Sequence, residues 1–282
     1  MAPSPPLLRT GQPIRERILG FGPAGIGKTH IYLTIAKWFQ ELGSDAMFYC
    51  ISSDTAYEPM LSNPLFSELE NVDYVDVVDF QQYVDAAKRY NKVSRPQDWM
   101  SVDLHSSSWS AAQNEYAQML ARSKGGSLDS VGDIWLETGE SKDYPIKGWE
   151  WGPINARYSY FAQNLLLPYP GHLFLISEQR DLLDPTEKMK EKEDEVAKKR
   201  REMFKHLGVV PAGQKGDPFR YHTILHIDGK AGVDRGQVMS TAKERFGNRE
   251  MWGQRLKNGV VRDVPLDDFF LDYLVKTAGW TM

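Results

Sequence analysis

A glycine-rich stretch near the start of the chain carries the clearest chemistry in this sequence. Residues 22–29 have the spacing G-x-x-x-x-G-K-[ST], which is typical of a phosphate-binding loop. In such a loop, backbone N–H groups surround a β-phosphate, Lys28 reaches the β- and γ-phosphates, and Thr29 ligates Mg²⁺. The pattern therefore predicts ATP and Mg²⁺ as ligands. The predicted ATP-binding residues of the loop are Gly22, Pro23, Ala24, Gly25, Ile26, Gly27, Lys28 and Thr29.

A magnesium ion at Thr29 also needs a carboxylate, which is expected at the end of a buried strand after the loop. Asp103 closes the apolar run W-M-S-V-D and is the best candidate for this second ligand. Asp79 and Asp54 are the rivals, because each of them also follows an apolar run. An aspartate at the end of a strand is also common as a turn residue.

Four further polar residues are candidates for activating water or contacting the γ-phosphate. Asp54 and Glu58 follow the second predicted strand, and Glu178 and Gln179 end a later one. Ligands of doubly wound sheets bind at the carboxyl ends of the strands, so all four lie at the expected edge. Each of them, taken singly, is equally well explained as a helix cap or a surface residue.

The elements that must position these residues alternate between strand and helix along most of the chain. A short apolar strand precedes the loop, and an amphipathic helix follows it as far as Gly43. This alternation predicts an α/β fold with a mostly parallel central sheet and helices on both faces. We expect one domain over residues 14–282, preceded by an extended proline-rich arm at residues 1–13.

Composition narrows the class of protein further. The 282 residues carry a formal net charge of −4, so any nucleic-acid contact must come from a local basic patch. A single cysteine excludes an internal disulfide and a multi-cysteine zinc site. No apolar run approaches the roughly 20 residues that span a membrane, and the first residues do not resemble a signal peptide. We therefore expect a cytoplasmic protein with no membrane partner.

Two segments differ from this alternating pattern. Residues 123–150 are glycine-rich and aperiodic, and residues 181–217 include a highly charged run with helix-forming composition. Acids and bases occur in similar number in that run, which favours a solvated surface helix. There are two alternatives. One is a mobile element over the site, and the other is a nucleic-acid contact through the basic residues Lys198, Lys199, Arg200 and Arg201.

Several of these motifs together resemble the RecA-type ATPase core. The order of loop, strand-ending acid and the run F-L-I-S-E-Q-R is similar to that core, and residues 241–247 (T-A-K-E-R-F-G) are similar to the Lys-x-Arg-Phe-Gly signature of the bacterial RadA recombination factor. The wider layout, over roughly residues 15–280, most resembles small phage-encoded RecA-like ATPases, which are described as phage nucleotide-binding proteins or as Sak-type single-strand annealing ATPases. This closer likeness is carried by residues 151–179 (W-G-P-I-N-A-R-Y through L-I-S-E-Q) and residues 269–280 (F-F-L-D-Y-L-V-K-T-A-G-W). Of these features, only the phosphate-binding loop is highly specific.

The resemblance implies roles for individual residues. Asp54 falls where RecA-type proteins carry the glutamate that activates water, and Glu178 falls where a polar residue senses the γ-phosphate. Lys243 and Arg245 fall where related ATPases extend positive side chains into the nucleotide of a neighbouring subunit, which implies a ring or filament of identical chains. Asp54 is one methylene shorter than glutamate, and this puts the rate of hydrolysis in question.

The resemblance also implies a partner, single-stranded DNA, in phage recombination, annealing or replication. In this family the segments after the magnesium-acid strand and after the sensor strand face the DNA, and here these are residues 123–150 and 181–217. Trp135, Trp149 and Trp151 are candidates either for stacking on bases or for anchoring the long segment to the domain.

The sequence thus favours a DNA-dependent ATPase over two alternatives. The first alternative is a nucleotide-dependent assembly or scaffold protein with little hydrolysis. The second is a small-molecule P-loop kinase, which is disfavoured because no arginine-rich lid of the usual kind is present, although residues 188–205 could be mistaken for one.

Overall fold

The fold is described from a computed structural model, and its helices and strands are numbered in chain order. The structure describes residues 3–7, 11, 13–123, 151–182, 194–205, 207–228, 238–243, 255–256, 259–263, 270–276 and 278–281. The strands are β1 (Arg17–Gly22), β2 (Phe48–Ser52), β3 (Val72–Asp76), β4 (Trp99–Asp103), β5 (His172–Asp181), β6 (Val209–Pro211), β7 (Thr223–Asp228), β8 (Val238–Lys243), β9 (Arg255–Leu256) and β10 (Gly259–Asp263). The α-helices are α1 (Lys28–Glu41), α2 (Tyr57–Leu61), α3 (Phe80–Val93), α4 (His105–Ser123), α5 (Trp151–Ser159) and α6 (Glu195–Phe204).

Three shorter helical segments complete the described elements. Helix α5 continues without a break into a π-helical segment, Tyr160–Leu166, and a second π-helical segment spans Phe270–Val275 near the end of the chain. A 3₁₀ turn at Asp217–Phe219 precedes β7.

The strands form one mixed sheet with a large parallel part. The order is β3-β2-β4-β5-β1-β7-β8-β10-β9, and β6 pairs with the far end of β5. Strands β3 through β7 in this order are parallel, whereas β8, β10, β9 and β6 pair antiparallel with their neighbours. The predicted α/β fold with a mostly parallel sheet is therefore confirmed. Strand β5 lies between β1 and β4, so the loop after β1 and the acid that ends β4 meet at the same sheet edge.

Successive residues of β1 point into two separate hydrophobic clusters, one on each face of the sheet. Ile18 belongs to the cluster that contains the buried side of α1 and the segment Phe270–Val275. Leu19 and Phe21 belong to the other, which contains buried side chains of α3 and of the helix that begins with α5. This alternation is the period-two pattern of a strand buried on both faces, and it explains why β1 reads as a continuous apolar run.

The proline-rich arm and the charged run, which was predicted as a surface helix, both contain ordered elements. Ser4 in the proline-rich arm exchanges backbone hydrogen bonds of 2.9 Å with Thr281. Within residues 181–217, the charged run forms α6, whose N-cap Asp194 accepts a hydrogen bond from the Ala197 N–H at 2.6 Å. Phe204 at its other end packs edge-to-face on Phe21 at 5.6 Å. The part of the charged run that forms α6 is therefore an amphipathic helix packed on the core. Residues 124–150 lie outside the described residues.

His172 opens β5 in a fully buried aromatic environment. Its ring stacks on Trp99 at 4.8 Å and lies 4.9 Å from Trp280, and its Nδ1 accepts a hydrogen bond from the Glu16 N–H at 3.1 Å. Burial, together with the charges of nearby arginines, lowers the pKa of His172 to about 3. The imidazole is therefore neutral in the folded chain at every pH above about 3.

Because His172 is held neutral in the folded chain, we expect the protein to lose stability in acid. We expect the substitution His172→Gln to remove this part of the loss. Unfolded His172 has a pKa near 6.5, so its contribution to stability is present above 6.5 and is lost as the pH falls toward about 3. We expect the free energy of unfolding to change more steeply between pH 6.5 and 4.5 in the wild type than in His172→Gln, by up to about 1.4 kcal/mol per pH unit. Urea unfolding at several pH values measures this. Equal slopes in the two proteins would show that His172 does not titrate on unfolding.

Candidate functional site

The phosphate-binding loop leaves β1 at Gly22 and enters α1 at Lys28. A Cβ atom at Gly22 would lie 2.1 Å from the backbone oxygen of Ile227 on β7, so this position requires glycine for strand packing alone. Gly25 and Gly27 have φ of 72° and 95°, and Gly27 forms the N-cap of α1 in the left-handed region. These two glycines allow the chain to turn from strand to helix in a conformation that other residues rarely adopt.

Lys28 lies across the loop with its ammonium group over backbone carbonyls. Its Nζ donates hydrogen bonds to the oxygens of Gly22 at 3.0 Å and Pro23 at 2.6 Å. Burial lowers the pKa of Lys28, and the nearby carboxylates of Asp103 and Glu178 act against that shift, together with a smaller effect of Asp54. The loop thus holds one cation among several acidic side chains.

Thr29 and Asp103 meet as predicted for a shared magnesium ion. The Thr29 hydroxyl donates a hydrogen bond to Asp103 Oδ2 at 2.5 Å, although the two residues are 74 positions apart. The Asp103 side chain is fully buried, and its other oxygen, Oδ1, has no hydrogen-bond partner. A hydroxyl beside a buried carboxylate with a free oxygen fits Mg²⁺, which takes oxygen ligands and keeps several waters and phosphate oxygens in its shell.

The environment of Asp103 makes its negative charge costly. Burial, together with the charge of the neighbouring Asp54, raises the pKa of Asp103 to about 7. The hydrogen bond from Thr29 and the charge of Lys28 act in the opposite direction but are weaker. A divalent cation at this position would therefore offset a charge that the metal-free protein stabilises poorly.

The end of β4 is fixed by Ser53, which follows the neighbouring strand β2. The Ser53 N–H donates to the Asp103 carbonyl oxygen at 2.6 Å, and its hydroxyl accepts from the Leu104 N–H at 3.0 Å. Ser53 therefore contacts both sides of the Asp103–Leu104 peptide, which is cis. Ser53 was not a predicted site residue, because no sequence pattern singles out a serine at the end of a strand.

Asp54 faces the same pocket, whereas Glu58 does not. Asp54 lines the pocket, and its Oδ1 accepts hydrogen bonds from the Ala56 N–H at 3.2 Å and the Ser52 hydroxyl at 3.4 Å. Glu58 lies on the exposed side of α2 and is not among the residues that line the pocket. The first turn of α2 directs Glu58 to solvent because Tyr57, one residue earlier, is the side chain that enters the core.

Glu178 and Gln179 point to opposite faces of the sheet. Glu178 is in register with Gly22 and its carboxylate faces the pocket. Gln179 lies on the other face, where its Oε1 is 3.0 Å from Nε2 of His226, whose ring packs on Phe21 at 4.9 Å. The structure therefore brings Glu178 to the loop and places the predicted ATP ligand Gln179 away from it. His226, the partner of Gln179, was not a predicted site residue.

Some of the predicted trans-acting and DNA-contacting residues lie outside the described part of the chain, whereas the basic candidates of the charged run lie on α6, where Arg200 is buried. Lys243 ends β8, whose backbone pairs with β7, and Arg245 lies outside the described residues. Trp135 and Trp149 also lie outside them. Trp151 opens α5 and stacks on Trp109 with ring centroids 6.1 Å apart and planes at 17°. This contact anchors the start of α5 to helix α4.

A buried polar cluster behind the site joins three elements. Nε2 of His105, at the start of α4, lies 3.1 Å from the hydroxyls of both Tyr158 and Tyr221. The Tyr158 hydroxyl donates to Asp217 Oδ2 at 2.5 Å. The cluster ties the residues that follow Asp103 to α5 and to the turn before β7. Its members are far apart in the chain, so no local sequence pattern predicts the cluster.

The loop, the start of α1, the segment after β2, the end of β4 and Glu178 of β5 line one pocket of about 360 Å³ at the carboxyl edge of the sheet. This volume lies at the small end of the range for ligand sites. The pocket combines backbone of the loop, one lysine, one hydroxyl and three carboxylates. Its lining residues are Ala24, Gly25, Gly27, Lys28, Thr29, His30, Asp54, Ala56, Met60, Asp103, Leu104 and Glu178.

Comparison with known proteins adds no assignment to this site. No protein-family model matches the chain, and no curated protein shows a significant match to it. Among the described residues, no helix combines the length and the apolar character needed to cross a bilayer.

The burial of Asp103 predicts an unusual response to pH. Its folded pKa of about 7 lies above the unfolded value of 3.8, so stability is lost as the pH rises through about 7. Without added metal, we expect Asp103→Asn to have a higher free energy of unfolding than the wild type at pH 8, and a smaller difference at pH 5. Urea unfolding at both pH values measures this. Asp76→Asn, an exposed aspartate on β3, is the matched control and should show no such difference. A variant that is less stable than the wild type at pH 8 would contradict the prediction.

Proposed function

We propose that this protein is a RecA-like ATPase that binds ATP with Mg²⁺ in the pocket between the loop, β4 and β5. The observation that carries the proposal is the contact between Thr29 and Asp103. It joins the end of the phosphate-binding motif to a buried carboxylate at the end of β4, which is separated from β1 by one strand, β5. A chance match to the motif gives no reason for a partner of this kind.

The chain's own residues divide the work of binding and hydrolysis. The loop N–H groups and Lys28 hold the phosphates, while Thr29 and Asp103 hold the metal. Mg²⁺, when bound, neutralises charge on the phosphate oxygens. Glu178 and Asp54 are the carboxylates that face the pocket and are not buried, so they are the groups available to orient water. Glu58 and Gln179 are left out of this assignment because they point elsewhere.

The proposed partners are further copies of this chain and single-stranded DNA, in phage recombination, annealing or replication. The support is the resemblance to phage RecA-like ATPases, in which residues at the positions of Lys243 and Arg245 reach a neighbouring subunit's nucleotide. An arginine supplied in trans stabilises the charge of the transition state, which gives a rate increase of about 10³-fold or more.

Nucleotide binding is expected to depend on Lys28. Removal of its ammonium group in Lys28→Ala deletes charge-assisted hydrogen bonds to phosphate, so we expect the affinity for Mg²⁺·ATP to fall at least tenfold, on the order given by such bonds. Isothermal titration calorimetry measures the change. Lys92→Ala removes an exposed lysine at the end of α3 and is the matched control, with unchanged affinity expected. If Lys28→Ala binds Mg²⁺·ATP as the wild type does, the loop is not a nucleotide site.

A second candidate is a nucleotide-dependent assembly or scaffold protein with little hydrolysis. One observation favours it over a fast ATPase. One oxygen of the Asp54 carboxylate, Oδ1, accepts hydrogen bonds from its own segment, at Ala56 and Ser52, and is therefore already engaged. This candidate keeps ATP binding but does not require turnover or DNA.

DNA-stimulated turnover distinguishes the two candidates. The ATPase proposal predicts that single-stranded DNA raises the rate of phosphate release, and that DNA affinity falls steeply as salt increases, because phosphate contacts release counterions. It also predicts that Arg245→Ala keeps ATP binding but loses turnover in the assembled state. Phosphate release measured across a salt series, with and without DNA, tests these expectations.

Two outcomes of that assay contradict specific parts of the proposal. ATP binding with no turnover and no effect of DNA supports the scaffold alternative instead. Normal hydrolysis by assembled Arg245→Ala, with DNA stimulation retained, leaves the ATPase assignment in place but removes the role of this residue at a subunit interface.

A further inference from the structure

The backbone of Glu178 is held from two sides. Its N–H donates to the Ser106 hydroxyl at 3.4 Å, and its carbonyl oxygen accepts from the Ala212 N–H at 2.8 Å. The Ser177 hydroxyl, one residue earlier, donates to the Ala212 carbonyl oxygen at 3.0 Å. The position of Glu178 in the pocket therefore depends on the start of α4, where Ser106 lies, and on the segment after β6, where Ala212 lies.

These two parts of the chain meet at Gly213. A Cβ atom at Gly213 would lie 3.5 Å from Cα of Ser106 and 3.6 Å from Oδ2 of Asp217. Asp217 opens the 3₁₀ turn that follows this segment, and His105 directly precedes Ser106. A contact between His105 and Asp217 therefore fixes the spacing between α4 and the segment that holds Glu178.

The hydroxyl of Tyr158 bridges His105 and Asp217. It donates to Asp217 Oδ2 at 2.5 Å and lies 3.1 Å from Nε2 of His105, whereas Nε2 and Oδ2 are themselves 3.5 Å apart. All three side chains are buried, and a buried carboxylate is costly unless donors or cations lie close to it. Nε of Arg220 lies 3.2 Å from the other oxygen of Asp217, Oδ1. Without the Tyr158 hydroxyl, Oδ2 would lose its short hydrogen bond and the bridge to α4.

We propose that Tyr158 is a positioning residue for the pocket. Through His105 and Asp217 it holds the two segments that place Glu178, one of which follows Asp103 directly, in the arrangement that hydrolysis needs. Tyr158 is not among the residues that line the pocket, so it acts through other residues and touches neither nucleotide nor metal. Reacting groups must be held within about 0.5 Å of their productive positions, and residues behind a site achieve this by hydrogen bonding. The inference rests on the proposed ATPase function and goes beyond it, because it assigns a role to a cluster outside the pocket.

The phosphate-binding groups are carried by other elements than this cluster. The loop leaves β1 and enters α1, and Lys28 donates to the carbonyl oxygens of Gly22 and Pro23 within the loop. Phosphate binding therefore depends little on the Tyr158 hydroxyl, whereas the placement of Glu178 depends on it. An interaction that matters only in the transition state lowers kcat when it is lost and leaves the binding of substrate unchanged.

Phosphate release from Mg²⁺·ATP by the full chain, with single-stranded DNA present, measures kcat and KM. In Tyr158→Phe we expect kcat to fall by about tenfold to 100-fold, the upper figure being the loss that a misplacement of about 1 Å can cause. KM and the calorimetric Kd for Mg²⁺·ATP should stay within about twofold of the wild type. Tyr221→Phe removes the other hydroxyl that lies 3.1 Å from His105 Nε2, and it should lower kcat with the same selectivity.

Tyr169→Phe is the matched control. Tyr169 is also fully buried, and its hydroxyl donates to Ser94 Oγ at 2.9 Å near the amino ends of β4 and β5. It should keep the kcat of the wild type although it loses a buried hydrogen bond of the same kind. Urea unfolding shows whether each variant is folded under the assay conditions, and Tyr221→Phe decides the question if Tyr158→Phe is not.

The inference is overturned if folded Tyr158→Phe keeps the kcat of the wild type, or if Tyr169→Phe loses as much. In that case the ATPase assignment stays in place and only the role of Tyr158 is removed. Failure of the proposed function is a different result, in which the wild type itself releases no phosphate. The inference then falls with the assignment, because there is no hydrolysis for Tyr158 to support.

Discussion

A carboxylate that is buried away from water needs hydrogen-bond donors or a cation close to it. Asp103 is the buried carboxylate at this site. The Thr29 hydroxyl meets one of its oxygens, Lys28 supplies positive charge nearby, and Ser53 holds the peptide that follows it. Together with Asp103 itself, these groups come from three separate segments of the chain. The parallel pairing of β2, β4 and β5, and of β5 with β1, is what brings the three segments to one edge. The pocket therefore depends on strand register as much as on the residues that line it.

Much of this arrangement could be predicted from the sequence because it depends on local patterns. The loop motif, the apolar runs of β1 and β4, and the helical spacing of α1 each have a short-range signal. Two such runs ending in Gly22 and Asp103, in a parallel sheet, are enough to place the loop and the acid at the same edge. Asp79, a rival for the metal, is instead the N-cap of α3 and accepts a hydrogen bond from the Gln82 N–H at 2.8 Å.

Other parts could not be predicted because they depend on the direction of a side chain or on distant contacts. Glu178 and Gln179 are adjacent in sequence, yet the alternation of the strand sends them to different faces, and only the pairing of β5 with β1 shows which one meets the loop. Glu58 lies near the pocket in sequence but turns to solvent. The cluster around His105 brings together residues more than 100 positions apart, and no local pattern marks them.

The close approach of Gly22 to the backbone of Ile227 affects how variation in this chain should be interpreted. A glycine at the start of a phosphate motif is usually taken as evidence that the ligand demands it. Here the neighbouring strand excludes any side chain at that position, whether or not a nucleotide is ever bound. If every replacement of Gly22 inactivates the protein in a deep mutational scan, that result is explained by the packing of β1 against β7 and is not evidence for nucleotide binding. Tolerance at Gly25, where an added Cβ meets no atom within 4 Å but φ is 72°, would be the more informative measure of what the loop itself requires.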